Sequence, residues 1–190
     1  YDPDTPLWET AQALDSIVRQ GKALYVGISN YNEEKTSEIM QYFKEFHTPF
    51  IVNQPSYSML NRWIEQDGLD RFAKENGIGL AVFSPLSQGM LTDKYLNGIP
   101  ADSRIGKGST WIANELTDGR LARIRALNEL AASRDQKLSQ MALSWVLHNR
   151  AVTTVLIGAS RPEQILENAA CIEKLTFSEN EIIRIEEILK

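Results

Sequence analysis

The sequence predicts an α/β protein built on parallel strands, and three observations lead there. Four short apolar runs each end in a small or polar cluster: Leu24–Ile28 into Ser29-Asn30, Phe50–Val52 into Asn53-Gln54, Leu80–Phe83 into Ser84-Pro85, and Thr154–Ile157 into Gly158-Ala159-Ser160. A stretch with helical periodicity follows each cluster. Strand, then polar tip, then helix, repeated four times, is the layout of an α/β protein with parallel strands. In such folds the polar tips at the carboxyl ends of the strands open onto one mouth, where ligands bind.

The elements can be justified in chain order. Thr5-Pro6 reads as a helix start, with a hydroxyl at the cap and proline at the first helical position. That helix carries Leu7, Ala11, Leu14 and Ile17/Val18 at helical spacing and stops at Gly21. The first strand runs to Ile28, and a helix over about Glu33–Phe46 turns Ile39, Met40 and Phe43 inward. A second strand begins at Phe50, residues 55–63 form a loop, and one helix is expected from Trp63 to about Glu75. Asn76-Gly77 turns the chain into the strand Ile78–Phe83.

Residues 87–116, rich in Gly, Ser, Asp and Asn, are the longest irregular stretch, and loops of that length are usually functional. Helices over about 117–134 and 139–149 follow, the second expected to be capped by serine and apolar through Met141, Ala142, Leu143, Trp145, Val146 and Leu147. After the fourth strand, Arg161-Pro162 opens a helix to about Lys174. Ser178, with Glu179 and Glu181, opens the last. No linker divides residues 1–190, so a single domain is expected.

Four strands are half of an eight-stranded (β/α)₈ barrel, which needs about 250 residues. A four-stranded half would present two apolar edge strands, and the opening helix has no strand before it. The expectation is therefore a C-terminal half-barrel with further chain upstream. Two copies pairing into a pseudo-barrel is the alternative for a chain of this length alone.

Bulk properties exclude several function classes. The chain has 190 residues, 43% of them hydrophobic, and a formal net charge of −5. Such a chain can bury one ordinary core, and its acidity argues against a general nucleic-acid footprint. No apolar run reaches the roughly 18 residues of a membrane helix, and Tyr1-Asp2-Pro3-Asp4 is no signal peptide. The single cysteine, Cys171, fits a reducing cytoplasm and, between Ala170 and Ile172, reads as a packed thiol. His47 and His148 have no ligand partner at helical spacing, so no metal site is expected. Gly77-Ile78-Gly79 precedes its strand and lacks the third glycine of a dinucleotide fingerprint. Gly106-Lys107-Gly108-Ser109 lacks phosphate-loop spacing and reads as a flexible loop, and there is no nucleophile elbow.

The strand tips themselves carry the chemistry. Ser29, Asn30 and Gln54 offer hydroxyl and amide groups that could hold a carboxamide. Phe83 offers a flat face to an aromatic ring. Gly158-Ala159-Ser160-Arg161 stands at a helix N-terminus, where free amides, dipole and guanidinium suit a phosphate. Any one tip could be mere helix capping; amide, aromatic and phosphate chemistry divided among four tips favours a nucleotide site.

At these residues the chain closely resembles the aldo-keto reductases, in the branch of potassium-channel β-subunits and bacterial glyceraldehyde-phosphate-type reductases. The resemblance rests on four strings: Gly21-Lys22-Ala23-Leu24-Tyr25-Val26-Gly27-Ile28-Ser29-Asn30, Asn53-Gln54-Pro55-Ser56-Tyr57-Ser58, Phe83-Ser84-Pro85-Leu86-Ser87-Gln88-Gly89-Met90-Leu91-Thr92, and the run from Ile157 to Asn168. It implies a (β/α)₈ barrel of which this chain covers strands 5–8, and reduction of aldehydes or ketones with NADP(H). Ser29, Asn30 and Gln54 would hold the nicotinamide carboxamide and Phe83 would stack on its ring. Ser84, Pro85, Leu86, Gln88, Gly89 and Leu91 would follow the pyrophosphate. Ile157, Gly158, Ala159, Ser160, Arg161 and Gln164 would meet the 2′-phosphate and ribose, with Glu167 and Asn168 on the adenine. A guanidinium at Arg161 suits NADP over NAD.

The resemblance implies a catalytic Asp, Tyr, Lys and His drawn from the first half of the barrel. Tyr1-Asp2-Pro3 would be the last three residues of a His-Arg-x-Asp-Pro string, so no catalytic residue is assigned in this chain. The partner implied is a small carbonyl substrate, with neither nucleic acid nor membrane. Relatives in this branch often assemble, which leaves a homo-oligomer open. The alternative function is an NADP(H)-binding regulatory subunit with little turnover.

Overall fold

A computed structural model describes residues 1–190. Its chain forms two compact units: Tyr1–Tyr57 with Arg62–Phe83 and Arg150–Leu156, and Ser58–Asn61 with Ser84–Asn149 and Ile157–Lys190.

The first unit contains α1 (Leu7–Arg19), β1 (Val26–Ser29), α2 (Glu33–Phe46), β2 (Phe50–Gln54), α3 (Trp63–Asp67), α4 (Leu69–Asn76), β3 (Gly79–Val82) and β4 (Val152–Val155). The strands form one sheet in the order β1-β2-β3-β4, and every pairing is parallel. Sequential neighbours joined by helical crossovers are the repeat of a (β/α)₈ barrel. In register, Ile28, Asn53 and Leu80 lie side by side on the covered face, and Ser29 and Gln54 on the other. Val26, Ile28, Leu80 and Val82 are buried. Leu7, Ala11, Ile39 and Phe43 pack with Val26, Ile28 and Tyr31 into a core, and the rings of Phe43 and Phe50 stand 5.1 Å apart. Gly27 is required for space: a Cβ there would lie 2.5 Å from Val52 Cγ1.

Capping fixes the entry to α2. Asn32 Oδ1 accepts from Lys35 N at 2.9 Å and Asp67 Oδ2 accepts from Glu33 N at 2.6 Å, so two of the helix's unpaired amides are satisfied.

The second unit contains a 3₁₀ turn at Ser87–Gly89 and another at Asp93–Tyr95, then α5 (Thr110–Glu115), α6 (Asp118–Ser133), α7 (Leu138–His148), α8 (Pro162–Ala169), a 3₁₀ extension Ala170–Lys174, and α9 (Glu179–Leu189). Its centre is the apolar face of α7, where Met141, Ala142, Leu143, Trp145 and Val146 are all buried, with Ile124, Leu127 and Ala131 of α6 and Ile185 of α9. Ser178 and Glu181 cap α9 reciprocally: Ser178 N donates to Glu181 Oε2 at 2.7 Å and Glu181 N to Ser178 Oγ at 3.3 Å. No helix is long and apolar enough to cross a membrane.

Several sequence expectations are corrected. Pro6, not Thr5, is the residue before α1 and no side chain caps the helix; the Thr5 hydroxyl donates to Asp2 Oδ2 at 2.7 Å. Ile17 faces outward, and Leu24 and Tyr25 are exposed before β1; pairing begins only at Val26, whose amide donates to Pro49 O. The expected helix over 63–75 is two, broken at Gly68, where φ is +93° and a Cβ would press on Glu33 Oε2. Ser139 does not cap α7 but is buried within it; Lys137 is the cap residue and its amide donates to Gln140 Oε1 at 2.9 Å. β4 ends at Val155, and α8 tightens into 3₁₀ geometry after Ala169. The segment around Gly106 is a wound turn rather than a loose loop: Ser103 Oγ donates to Pro100 O at 2.6 Å and accepts from Gly106 N at 3.0 Å.

Candidate cofactor site

In the first unit, the tips of β1 and β2 form one hydrogen-bonded corner. The amide of Asn30 donates to Gln54 O at 3.1 Å, and the Ser29 hydroxyl donates to the same carbonyl at 2.9 Å. Asn30 Oδ1 accepts from Ser56 N at 3.2 Å. Asn30 adopts φ +56°, a left-handed conformation that asparagine tolerates better than most residues, so the chain can reverse here without glycine. The Gln54 side chain enters none of these bonds and stands on the uncovered face beside Ser29. Phe83 follows β3 directly. Its amide donates to Pro55 O at 3.0 Å and its carbonyl accepts from Tyr57 N at 3.2 Å, which ties it to the segment after Gln54. Thus Ser29, Asn30, Gln54 and Phe83, all expected at one end of a nicotinamide, are brought onto one network of strand tips.

The second unit holds the remaining predicted residues in two places. Ser84 to Thr92 winds on itself: Ser87 N donates to Ser84 O, Gly89 N and Leu91 N to Leu86 O, and Met90 N to Ser87 O. Ser84, Ser87 and Gln88 have φ of +55°, +45° and +59°, and Gly89 +94°. Such a concentration of left-handed residues stores backbone strain, which persists only where surrounding contacts hold it. Here the Gln88 amide donates to Ser84 Oγ at 3.2 Å, the Thr92 hydroxyl to Gly89 O at 2.7 Å, and the hydroxyls of Ser87 and Ser58 lie 2.8 Å apart. Ser84, Leu86, Gln88 and Gly89 are half-buried; Pro85 and Leu91 are buried in the packing.

The other place is the corner before α8. Gly158, Ala159, Ser160 and Arg161 are exposed, and Ile157 is half-buried. Gln164 Oε1 accepts from Ser160 N at 2.8 Å and from Ser160 Oγ at 3.2 Å, closing a local loop over the first turn of α8. Arg161 is the residue before the helix, in extended conformation, with Pro162 at its first position. Glu167 forms an ion pair with Lys137, and its carbonyl accepts from Gln140 Nε2 at 2.9 Å. Hydrogen bonding to that carboxylate raises the Lys137 ammonium above its ordinary range. Asn168 is buried.

A match to the sequence profile described as the aldo/keto reductase family extends over residues 1–190. The chain belongs to that family. This aldo/keto reductase chain is 47% identical over 190 residues to the L-glyceraldehyde 3-phosphate reductase of Escherichia coli, covering 98% of this chain and 55% of that protein. It is 34% identical over 195 residues to a Schizosaccharomyces pombe protein named for a voltage-gated potassium channel subunit beta, covering 99% of this chain and 56% of that one. Among solved structures it resembles the glycerol dehydrogenase of Gluconobacter oxydans, with a TM-score of 0.78 and 25% identity over 100% of this chain and 56% of that one. The aldo/keto reductase chain thus spans about half the length of the relatives it matches.

Two residues of these corners escaped sequence reading. Asn53 is fully buried beneath the β1–β2 corner, and Ser58, 1% exposed, touches the strained Ser84–Thr92 segment. Ser58 lay inside a recognised string without a role. Cys171 is buried, and burial pushes its thiol above the ordinary range, the condition of an inert packed cysteine.

Proposed function

We propose that residues 1–190 act as one domain that holds NADP(H) for an oxidoreductase reducing aldehydes or ketones. The observation that carries this reading is the β1–β2 corner, where one hydrogen-bonded network positions Ser29 and Asn30 beside Gln54. A primary carboxamide has two N–H donors and one carbonyl acceptor. Side-chain amides at Asn30 and Gln54 and a hydroxyl at Ser29 are the complementary set. Phe83, on the adjoining strand tip, supplies an apolar ring face. In the second unit, the exposed amides of Gly158–Ser160 and the guanidinium of Arg161 suit the 2′-phosphate, and Ser84–Gly89 would run along the pyrophosphate.

When bound, the cofactor supplies a hydride to the carbonyl carbon while a proton reaches the carbonyl oxygen, giving an alcohol and NADP⁺. The residues assigned here bind and orient; no proton donor is assigned among them. The 47% identity to a reductase of a sugar-phosphate aldehyde supports small carbonyl compounds as the substrate class, and the acidic, span-free chain fits a cytoplasmic enzyme.

A second reading, an NADP(H)-binding regulatory subunit, draws on the likeness to the channel-subunit relative. The test uses full-length protein carrying residues 1–190: a titration with NADPH followed by NADPH oxidation in the presence of glyceraldehyde and its phosphate. Saturable binding with carbonyl-dependent oxidation supports the reductase. Binding with negligible oxidation supports the regulatory subunit, and absence of binding sinks both.

A further inference from the structure

Asn53 breaks the pattern of its own strand. On the covered face it lies in register between Ile28 and Leu80, both buried and apolar, and it is itself 0% exposed. Asparagine is a poor strand residue, and a buried amide must find partners for every polar atom. Asn53 does not: Nδ2 donates to Tyr31 O at 2.9 Å and to Thr36 Oγ1 at 3.0 Å, while Oδ1 has no partner. The orientation of the amide is forced, because Tyr31 O only accepts. The arrangement therefore carries the cost of an unsatisfied buried carbonyl, which an apolar residue at 53 would avoid.

The two donated bonds show what that cost secures. Tyr31 is the residue after Asn30, and its carbonyl lies on the far side of the left-handed turn that presents Ser29 and Asn30. Thr36, in the first turn of α2, donates to the same carbonyl at 3.4 Å. On the uncovered face the turn is held through Gln54 O and Ser56 N. Neighbouring residues of β2 thus grip one turn from opposite faces: Gln54 from the side a ligand would occupy, Asn53 from the core.

We propose that Asn53 is a positioning residue that fixes the Ser29–Asn30–Tyr31 turn, so that Ser29, Asn30 and Gln54 meet a carboxamide in one arrangement. This rests on the cofactor reading above and deepens it. Local violations of packing rules in an otherwise consistent fold are expected where function demands them. The role is confined to the nicotinamide end: nothing in it concerns the phosphate of the adenosine half.

The test uses the protein carrying residues 1–190 and two probes, NADPH and 2′,5′-ADP, the latter lacking the nicotinamide. In Asn53→Leu, NADPH should bind about tenfold more weakly, the equivalent of one well-placed hydrogen bond. Affinity for 2′,5′-ADP should stay unchanged and the thermal midpoint should hold or rise. Asn53→Ala, which leaves a small cavity instead of added bulk, should lose the same NADPH affinity and decides the matter if the leucine variant does not fold. Unchanged NADPH affinity in a folded variant overturns the positioning role and leaves the cofactor reading standing. Equal weakening of both probes, or failure of both variants to fold, shows a purely structural asparagine and overturns it as well. A wild-type protein that binds neither probe overturns the cofactor reading, and this inference with it.

Discussion

The corner at the tips of β1 and β2 and the corner before α8 are both proposed to hold one cofactor, yet they are built by opposite means. The first rests on backbone pairing above an apolar core: strand amides and carbonyls, one buried asparagine, and Val26, Ile28, Ile39 and Phe43 beneath. The second hangs on polar side chains. From α7 and the link before it, Arg134, Gln136, Gln140 and Ser144 reach the carbonyls of Glu167, Cys171, Lys174 and Thr176, which run along α8, its 3₁₀ extension and the residues just after it. A short helix with Ile165 and Leu166 exposed cannot be held by hydrophobic burial alone, so carbonyl-directed hydrogen bonds take over. The lesson is that the two corners should fail under different insults.

Arg134 is where this contrast can be broken most forcefully. It is 2% exposed; its guanidinium pairs with Glu181 at 2.6 Å, donates to Thr176 O at 2.9 Å and to Gln136 Oε1 at 2.9 Å, and lies 3.9 Å over the Phe177 ring. Its own carbonyl accepts from Lys174 Nζ at 2.6 Å. Arg134→Met strands a carboxylate and several carbonyls, and should cost about 3–5 kcal/mol of stability. Urea denaturation measures that loss, and hydrogen exchange should locate it in the amides of residues 170–181. A loss below about 1 kcal/mol would mean that α8 is not suspended in this way.

Arg161 comes next in size. It contributes charge at an exposed corner, not support, so Arg161→Ala should leave stability unchanged. A charged hydrogen bond is worth about 1.5–3 kcal/mol, which makes NADPH binding roughly 10- to 150-fold weaker while NADH changes little. Asn53→Leu should do the reverse at the other end, weakening both reduced cofactors and sparing 2′,5′-ADP. If Arg161→Ala weakens NADH as much as NADPH, the division of the cofactor between the corners is wrong.

These two corners also differ in how far they could be read in advance. Parallel strands, their order and the polar tips were legible because apolar runs, crossover helices and terminal Ser, Asn and Gly residues are local signals. The Ser178–Glu181 cap was legible for the same reason. Asn53 was not: whether it faces ligand or core depends on the register that puts Ile28 and Leu80 beside it, and register is a tertiary property. Arg134 was invisible in principle, since apart from Gln136 its partners lie 40 residues or more away and nothing nearby marks it as buried. The break at Gly68 was present as a glycine, but only its φ of +93° shows why a side chain there would be strained. Family resemblance supplied roles for Ser84–Leu91, whereas the strained backbone and the Ser58–Ser87 contact that accompany those roles emerged only in three dimensions.

The smallest effect separates the corners by pH. Burial pushes the Glu181 carboxyl upward, but hydrogen bonds from the Ser178 amide and hydroxyl and from Arg134 outweigh it, leaving the group below its ordinary value of 4.5. A carboxyl depressed in the folded state stabilises it above the unfolded value, and that contribution disappears as pH falls through the folded value. The gap in stability between wild type and Glu181→Gln should therefore be full at neutral pH and close below about pH 4.5. Compared at matched pH, exchange of the residue 174–181 amides should differ between wild type and Glu181→Gln only above that range, while the amides of residues 29–31 should not distinguish the two proteins at any pH. The bonds that hold the Ser29–Asn30 turn through Gln54 O, Ser56 N and Asn53 Nδ2 involve no carboxylate, so a pH-dependent difference there would show that the hold on the turn is not the neutral, backbone-directed one described above.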